Sequence, residues 1–258
     1  MARFPRLAVA VIAAASSTVA ALTAMGAPAG AAGAATPLPE RLTHIGESRQ
    51  VVVVTTRSWT TSHARLQTWK LTSSGEWTRV VDPIPARVGW NGVRREANRK
   101  QNTGTTPAGT FGLLRGFGLA KPAGVDLPYR RVDRNDWWPY DPADPKTYNV
   151  FQPRRVKHAQ WRTDWSERLK SYGAQYRYAV VLDYNLPSEI TWRNGQRVAR
   201  NTADTSAGGG IFLHVSGSGA TAGCVSIARD QMRQVLRWLD PAKDPVIVIG
   251  PRDVIDKM

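Results

Sequence analysis

Along this chain, apolar and polar positions alternate in short runs far more often than they recur at helical spacing. VVVV over 51–54, ARLQTWKL over 64–71 and EWTRVV over 76–81 are brief segments rich in Val, Trp and Thr. The turn residues Thr72-Ser73-Ser74-Gly75 separate the last two, so the three predict a meander of antiparallel strands. GTTPAGTFGLL over 104–114 runs from turn chemistry into a strand. YRYAVVLDYN over 176–185 predicts a buried strand, and GGGIFLHV over 208–215 another, entered from glycines. WWPYDPADPKTYN over 137–149 holds three prolines and no periodicity, which predicts a long ordered loop over the surface.

One stretch departs from the strand pattern. ARDQMRQVLRWL over 228–239 sets Met232, Val235, Leu236 and Leu239 at helical spacing and stops at Asp240-Pro241. PVIVIG over 245–250 follows as a last strand. The pattern is that of a mainly β domain with a few helices.

The first residues do not belong to that domain. Arg3 and Arg6, an apolar run over 7–22 and the small residues Ala32-Gly33-Ala34 predict a secretory signal peptide over 1–34. No other apolar run is long enough to span a bilayer, so no stable membrane span is expected once the signal is cleaved. A short leader over 35–47 then precedes a single domain over 48–258, which no linker or repeat divides. The expected location is extracellular, at a bacterial cell wall.

Charge supports that location. The chain carries +15; without Arg3 and Arg6 there remain 33 Lys and Arg against 20 Asp and Glu, or +13. The densest basic group is Arg94, Arg95, Arg99 and Lys100, followed by Arg130-Arg131 and Arg154-Arg155-Lys157. These groups are scattered and lack interleaved aromatic residues. They read as a solvated basic face suited to an anionic wall, and nucleic acid is not an expected partner.

Candidate chemistry centres on the only cysteine, Cys224, in Thr221-Ala222-Gly223-Cys224-Val225. A lone thiol in an oxidising compartment is a buried inert residue, an intermolecular disulfide or a nucleophile. The small residues before it fit a tight turn, where Gly223 lets the backbone approach a ligand and the amides can face a developing oxyanion. His214 ends the apolar strand IFLHV, ten positions earlier. It reads either as a satisfied core residue or as the base that takes the thiol proton at a cleft. One Cys and four His without a His-x-x-x-His spacing do not make a zinc site, and neither metal nor cofactor is expected. His44, His63 and His158 stand singly and read as surface residues.

GTTPAGTFGL, the Trp/Asp/Pro/Tyr-Asn loop, GGGIFLHV and TAGCV, in that order, resemble the L,D-transpeptidase (YkuD-type) catalytic domain family. The resemblance is strongest over 104–250 and reaches back to about 48. It implies an L,D-transpeptidase-like β-sandwich, with Cys224 as nucleophile and His214 as general base and acid. By the same resemblance Gly223 and Cys224 supply oxyanion amides, Thr221 shapes the turn and the Val215 carbonyl orients the imidazole. The implied substrates are peptidoglycan tetrapeptide stems, joined through a thioester acyl-enzyme into cross-links between third residues, with a role in wall construction and cell shape.

This chain departs from the commoner pattern in three places. Ala222 and Ser226 stand where a second histidine and an arginine are usual, Val215 replaces a Gly or Ser, and the interval from His to Cys is short. These mark a divergent branch. Water as acceptor would make the activity that of an L,D-carboxypeptidase, and loss of the Cys/His chemistry would leave a non-catalytic wall-binding protein. Endopeptidases of the NlpC/P60 or CHAP type carry Cys before His, the reverse of the order here.

Overall fold

A computed structural model describes residues 36–258; the expected signal peptide over 1–34 lies outside them. The Val- and Thr-rich runs become β1 (Gln50–Thr56), β2 (His63–Leu71) and β3 (Trp77–Arg87), the expected antiparallel meander. Next come β4 (Val93–Arg95), β5 (Thr106–Gly118) and β6 (Tyr129–Arg131), then the antiparallel pair β7 (Trp137–Pro139) and β8 (Ser166–Arg168). β9 (Ala179–Leu182) precedes a hairpin of β10 (Ser188–Arg193) and β11 (Gln196–Asn201). The chain continues through β12 (Phe212–Val215), β13 (Val225–Ile227), α1 (Arg229–Trp238) and β14 (Val246–Pro251).

The strands join in the order β14-β1-β2-β3-β13-β12-β9-β5-β4, and β14 also pairs with β5. The sheet thus returns on itself, and a mainly β, single-domain architecture with one α-helix among the described residues results. Alternation along each strand divides the apolar residues between two clusters. Val180, Leu182, Leu213, Val215, Val225 and Ile227 enter the main core, together with Met232, Val235 and Leu236 of α1. Each fully buried side chain of this kind stabilises the fold by about 1.5–3 kcal/mol. The opposite faces of the same strands carry Phe117, Ala179, Val181, Phe212 and Cys224, which meet Trp138, Leu169 and Tyr176 in a second cluster. The expected leader is tied to the far end of the chain: Leu42 is buried in the main core and Thr43 bonds to the Asp256 carbonyl. No helix among the described residues is long and apolar enough to cross a membrane.

Two expectations change and one hairpin is added. The strand expected over 176–185 is shorter, because Gln175–Arg177 forms a 3-10 turn that brings Tyr176 under the second cluster. The hairpin of β10 and β11 adds to the expected strands, and its Asn194 and Gly195, both at positive φ, carry the Asn-Gly signal of a two-residue turn. The 137–149 segment is only partly a loop over the surface: Pro142, Ala143, Pro145 and Lys146 are exposed. Its Trp138, Asp141, Tyr148 and Asn149 are buried, and its first residues form β7.

Two polar residues explain how a segment without periodicity is buried. Asp141 accepts from Arg162 N, Nε and Nη2 at 2.8, 2.8 and 2.6 Å and from Ala143 N at 3.0 Å. Asn149 accepts from Trp138 Nε1 at 2.7 Å and Gly210 N at 2.9 Å, and donates to the carbonyls of Asn185 at 2.7 Å and Tyr184 at 3.3 Å. Buried polar groups are tolerated when satisfied in this way. Asn149 fastens the segment directly to the glycines that enter β12.

Candidate active site

β12 and β13 run parallel, with Leu213 opposite Val225 and His214 opposite Ser226. Since Leu213 and Val225 face the main core, His214 and Cys224 project to the other side of the sheet. The two expected site residues are thereby brought onto one face from neighbouring strands.

The turn carrying the thiol is held from three directions. Trp90 N donates to the Thr221 carbonyl, and Thr221 N to that of Val88, each at 3.0 Å. Thr221 Oγ1 donates to the Cys224 carbonyl and accepts from Gly223 N at 3.2 Å. Thr106, from the TPAGTF segment, donates its hydroxyl to the same Cys224 carbonyl at 3.3 Å and accepts from Gly89 N at 2.8 Å. The TPAGTF and TAGC segments, more than a hundred residues apart, meet at one carbonyl oxygen. The N–H of Gly223 is engaged by Thr221, whereas that of Cys224 makes no hydrogen bond among the described residues.

Cys224 is 8% exposed and lines a cleft together with Trp90, Arg99, Tyr140, Glu167, Gly208–Gly210 and Gly223. Its thiol donates to the Gly210 carbonyl and accepts from Phe212 N, both at 3.4 Å. His214 is 4% exposed and is not among the residues lining the cleft; its ring is edge-on to Tyr176 at 5.4 Å. β12 runs one residue past it, so the histidine is more enclosed than a strand-end position suggests. Its Nδ1 lies 2.8 Å from the Val215 carbonyl. A carbonyl only accepts, so Nδ1 carries the proton and a neutral ring keeps its lone pair on Nε2. No hydrogen bond joins His214 to Cys224 directly.

Burial governs the charge states. It lowers His214 to about 4, with the Val215 and Gln175 carbonyls opposing the shift by favouring the imidazolium. Burial likewise pushes the Cys224 thiol up to about 12, helped by the Glu167 carboxylate and opposed by Phe212 N–H and the Arg99 charge. At neutral pH the pair is therefore uncharged, and the thiolate-imidazolium pair that the two residues invite is not the resting form. Glu167, a residue to which the strand pattern draws no attention, receives the Tyr176 hydroxyl at 2.5 Å. Its carboxyl is raised by burial to about 7, the hydrogen bond from Tyr176 working against the rise.

His44, His63 and His158 are exposed, as expected. Arg94, Arg95 and Lys100 are exposed as well, but Arg99 is withdrawn from the basic face and 5% exposed. Within this run only Arg99 has carbonyl partners across the fold, at Thr105 and Ala207. No feature of the local sequence separates it from its neighbours.

A search among curated proteins and another among solved structures returned no match. The family model of the L,D-transpeptidase catalytic domain (YkuD) matches residues 47–248, which include every strand from β1 to β13, the cleft and both Cys224 and His214. The chain belongs to the L,D-transpeptidase catalytic domain (YkuD) family, whose enzymes act on peptidoglycan.

Proposed function

We propose that the protein is a cysteine-dependent L,D-transpeptidase that acts on peptidoglycan tetrapeptide stems with Cys224 as nucleophile and His214 as general base and acid. The observation that carries this reading is that Cys224 and His214 lie on the same sheet face, with Cys224 lining a cleft.

Because thiol and imidazole are neutral at rest, proton transfer accompanies attack. As Sγ leaves the Gly210 carbonyl and bonds to the carbonyl carbon at the L-centre of the third residue, its proton passes to His214 Nε2. The Val215 and Gln175 carbonyls favour the imidazolium so formed. Negative charge gathers on the substrate oxygen, for which the unengaged Cys224 N–H is a donor, with Gly223 beside it. The C–N bond breaks, the terminal D-residue leaves as an amine with the proton from His214, and a thioester remains. An amine of a second stem attacks the thioester, yields its proton to His214 and forms the cross-link; the thiolate departs and is reprotonated. Water in place of the amine gives L,D-carboxypeptidase activity at the same site.

The working domain is proposed to be 48–258, exported by a cleaved signal over 1–34 and held on an anionic wall by its basic surface. Wall binding that is unchanged in high salt would remove the electrostatic part of this reading.

Incubation with a defined tetrapeptide muropeptide tests the whole. The expected products are a thioester adduct on intact mass and a cross-linked dimer; tripeptide alone identifies the carboxypeptidase. Cys224→Ala is expected to give neither. A folded wild-type protein that yields no adduct, dimer or tripeptide leaves a non-catalytic wall-binding protein.

A further inference from the structure

We propose that Arg99 is the carboxylate-binding residue of this cleft and holds the terminal carboxylate of the D-residue that leaves the donor stem. The inference rests on the acyl-transfer reading of Cys224.

Arg99 is 5% exposed, yet it takes part in no ion pair among the described residues. Its Nε donates to the Thr105 carbonyl at 3.0 Å and its Nη1 to that of Ala207 at 2.7 Å, while the guanidinium lies 5.5 Å from the centre of the Tyr184 ring. The Tyr184 hydroxyl is a further hydrogen-bond partner of the Arg99 side chain, and no carboxylate among the described residues pairs with it. A buried cation without a counter-charge is unfavourable by itself. Glu167 borders the same cleft but pairs with the Tyr176 hydroxyl and leaves Arg99 without an anion. A ligand carboxylate would supply what the guanidinium lacks, in the two-pronged geometry that Arg favours.

Position agrees with chemistry. Nη2 lies 3.0 Å from where a Cβ on Gly223 would sit, and Gly223 immediately precedes the nucleophile. A Cβ on Gly208 would overlap the same guanidinium. Glycine at both places therefore leaves Arg99 room against the cleft wall. When the scissile carbonyl is at Cys224 Sγ, the terminal carboxylate of the donor belongs to the very next residue, whose Cα is about 3.8 Å from that of the attacked one. The cleft encloses about 120 Å³, below the roughly 300–1,000 Å³ of a pocket for a drug-sized ligand, which suits a single small residue. Ser226, two residues after the nucleophile, is buried and bonds to Ser216 at 3.2 Å, so the turn itself brings no cation.

The test compares three synthetic tetrapeptide donors: the free acid, its terminal amide, and a free acid whose third residue bears a neutral side chain. Wild-type protein is expected to favour the free acid over the terminal amide by about 10- to 100-fold in kcat/KM, the range of a charge-assisted hydrogen bond, and to accept the third donor. Arg99→Met is expected to bring the acid-to-amide ratio to about one. Equal use of acid and amide by the wild type overturns the inference, as does a folded Arg99→Met that keeps the preference. A preference that follows the side-chain carboxylate of the third residue overturns the assignment to the leaving residue. Where Arg99→Met does not fold, Arg99→Lys replaces it and is expected to retain only part of the preference; the wild-type comparison stands without either variant. Calorimetry of the same peptides with Cys224→Ser separates the two readings. Acid preferred in binding with no wild-type turnover retains Arg99 and removes the acyl-transfer reading. Turnover without discrimination does the reverse.

Discussion

The thiol of Cys224 donates to the backbone carbonyl of Gly210 at 3.4 Å. That contact holds the sulfur in its protonated form within an apolar cluster that includes Phe212 and Trp138. A thiol stored this way is shielded from oxidants, and it becomes reactive only when its proton has somewhere to go.

Reactivity of the free thiol should therefore depend steeply on pH. With Cys224 near 12, alkylation by iodoacetamide is expected to rise about tenfold per pH unit from 7 to 10 without a plateau. A plateau beginning below pH 8 would mean a preformed thiolate. Ionised Glu167 disfavours the thiolate, so Glu167→Gln is expected to raise the alkylation rate several-fold at pH 8 to 9, above the Glu167 value of about 7. Unchanged or slower alkylation in that variant contradicts the coupling.

Thr106→Val removes a hydroxyl that bridges Gly89 N–H and the Cys224 carbonyl while keeping side-chain volume. The buried Gly89 N–H is left without an acceptor, at a cost of about 1–3 kcal/mol. Denaturant midpoints should fall accordingly, and turnover should fall further than stability alone explains, because the turn loses one of its anchors. Wild-type turnover at full stability would deny the TPAGTF segment this role.

Asn149→Ala leaves Trp138 Nε1 and Gly210 N without their acceptor. A loss of about 3 kcal/mol is expected in chemical denaturation. Since Gly210 also receives the Cys224 thiol through its carbonyl, the variant should alkylate faster than wild type at the same pH. A stability change under 1 kcal/mol would show that water replaces the amide.

The Asp141 carboxyl is held at about 2, chiefly by its hydrogen bonds from the Arg162 side chain. A depressed carboxyl contributes stability that is complete above its unfolded value near 3.9 and lost as pH falls toward 2. The contribution is on the order of 2 kcal/mol. Arg162→Met should unfold at a higher pH on acid titration than wild type, with the difference in stability vanishing near pH 2. Identical acid midpoints would refute the pairing.

Much of the fold was legible because its causes are local. The runs at 51–54, 64–71 and 245–250 alternate or stay apolar over strand lengths, and α1 shows its period in Met232, Val235 and Leu236. Cys224 and His214 stood out through scarcity and order. Arg99 and Glu167 did not, since a charged residue in sequence looks the same whether solvated or enclosed.

The sequence alone determined the long core strands, the helix over 229–238 and the identity of a Cys/His pair, all properties carried by a few neighbouring residues. Tertiary structure decided what those residues are. Asn149 and Asp141 drew an aperiodic segment into the interior through bonds to Gly210 and Arg162. Partners at Thr105 and Ala207 withdrew Arg99 from a run of exposed basic residues. Burial then set the proton on both Cys224 and His214, because the energy of a charge depends on the atoms packed around it, and residues far apart in the chain supply those atoms.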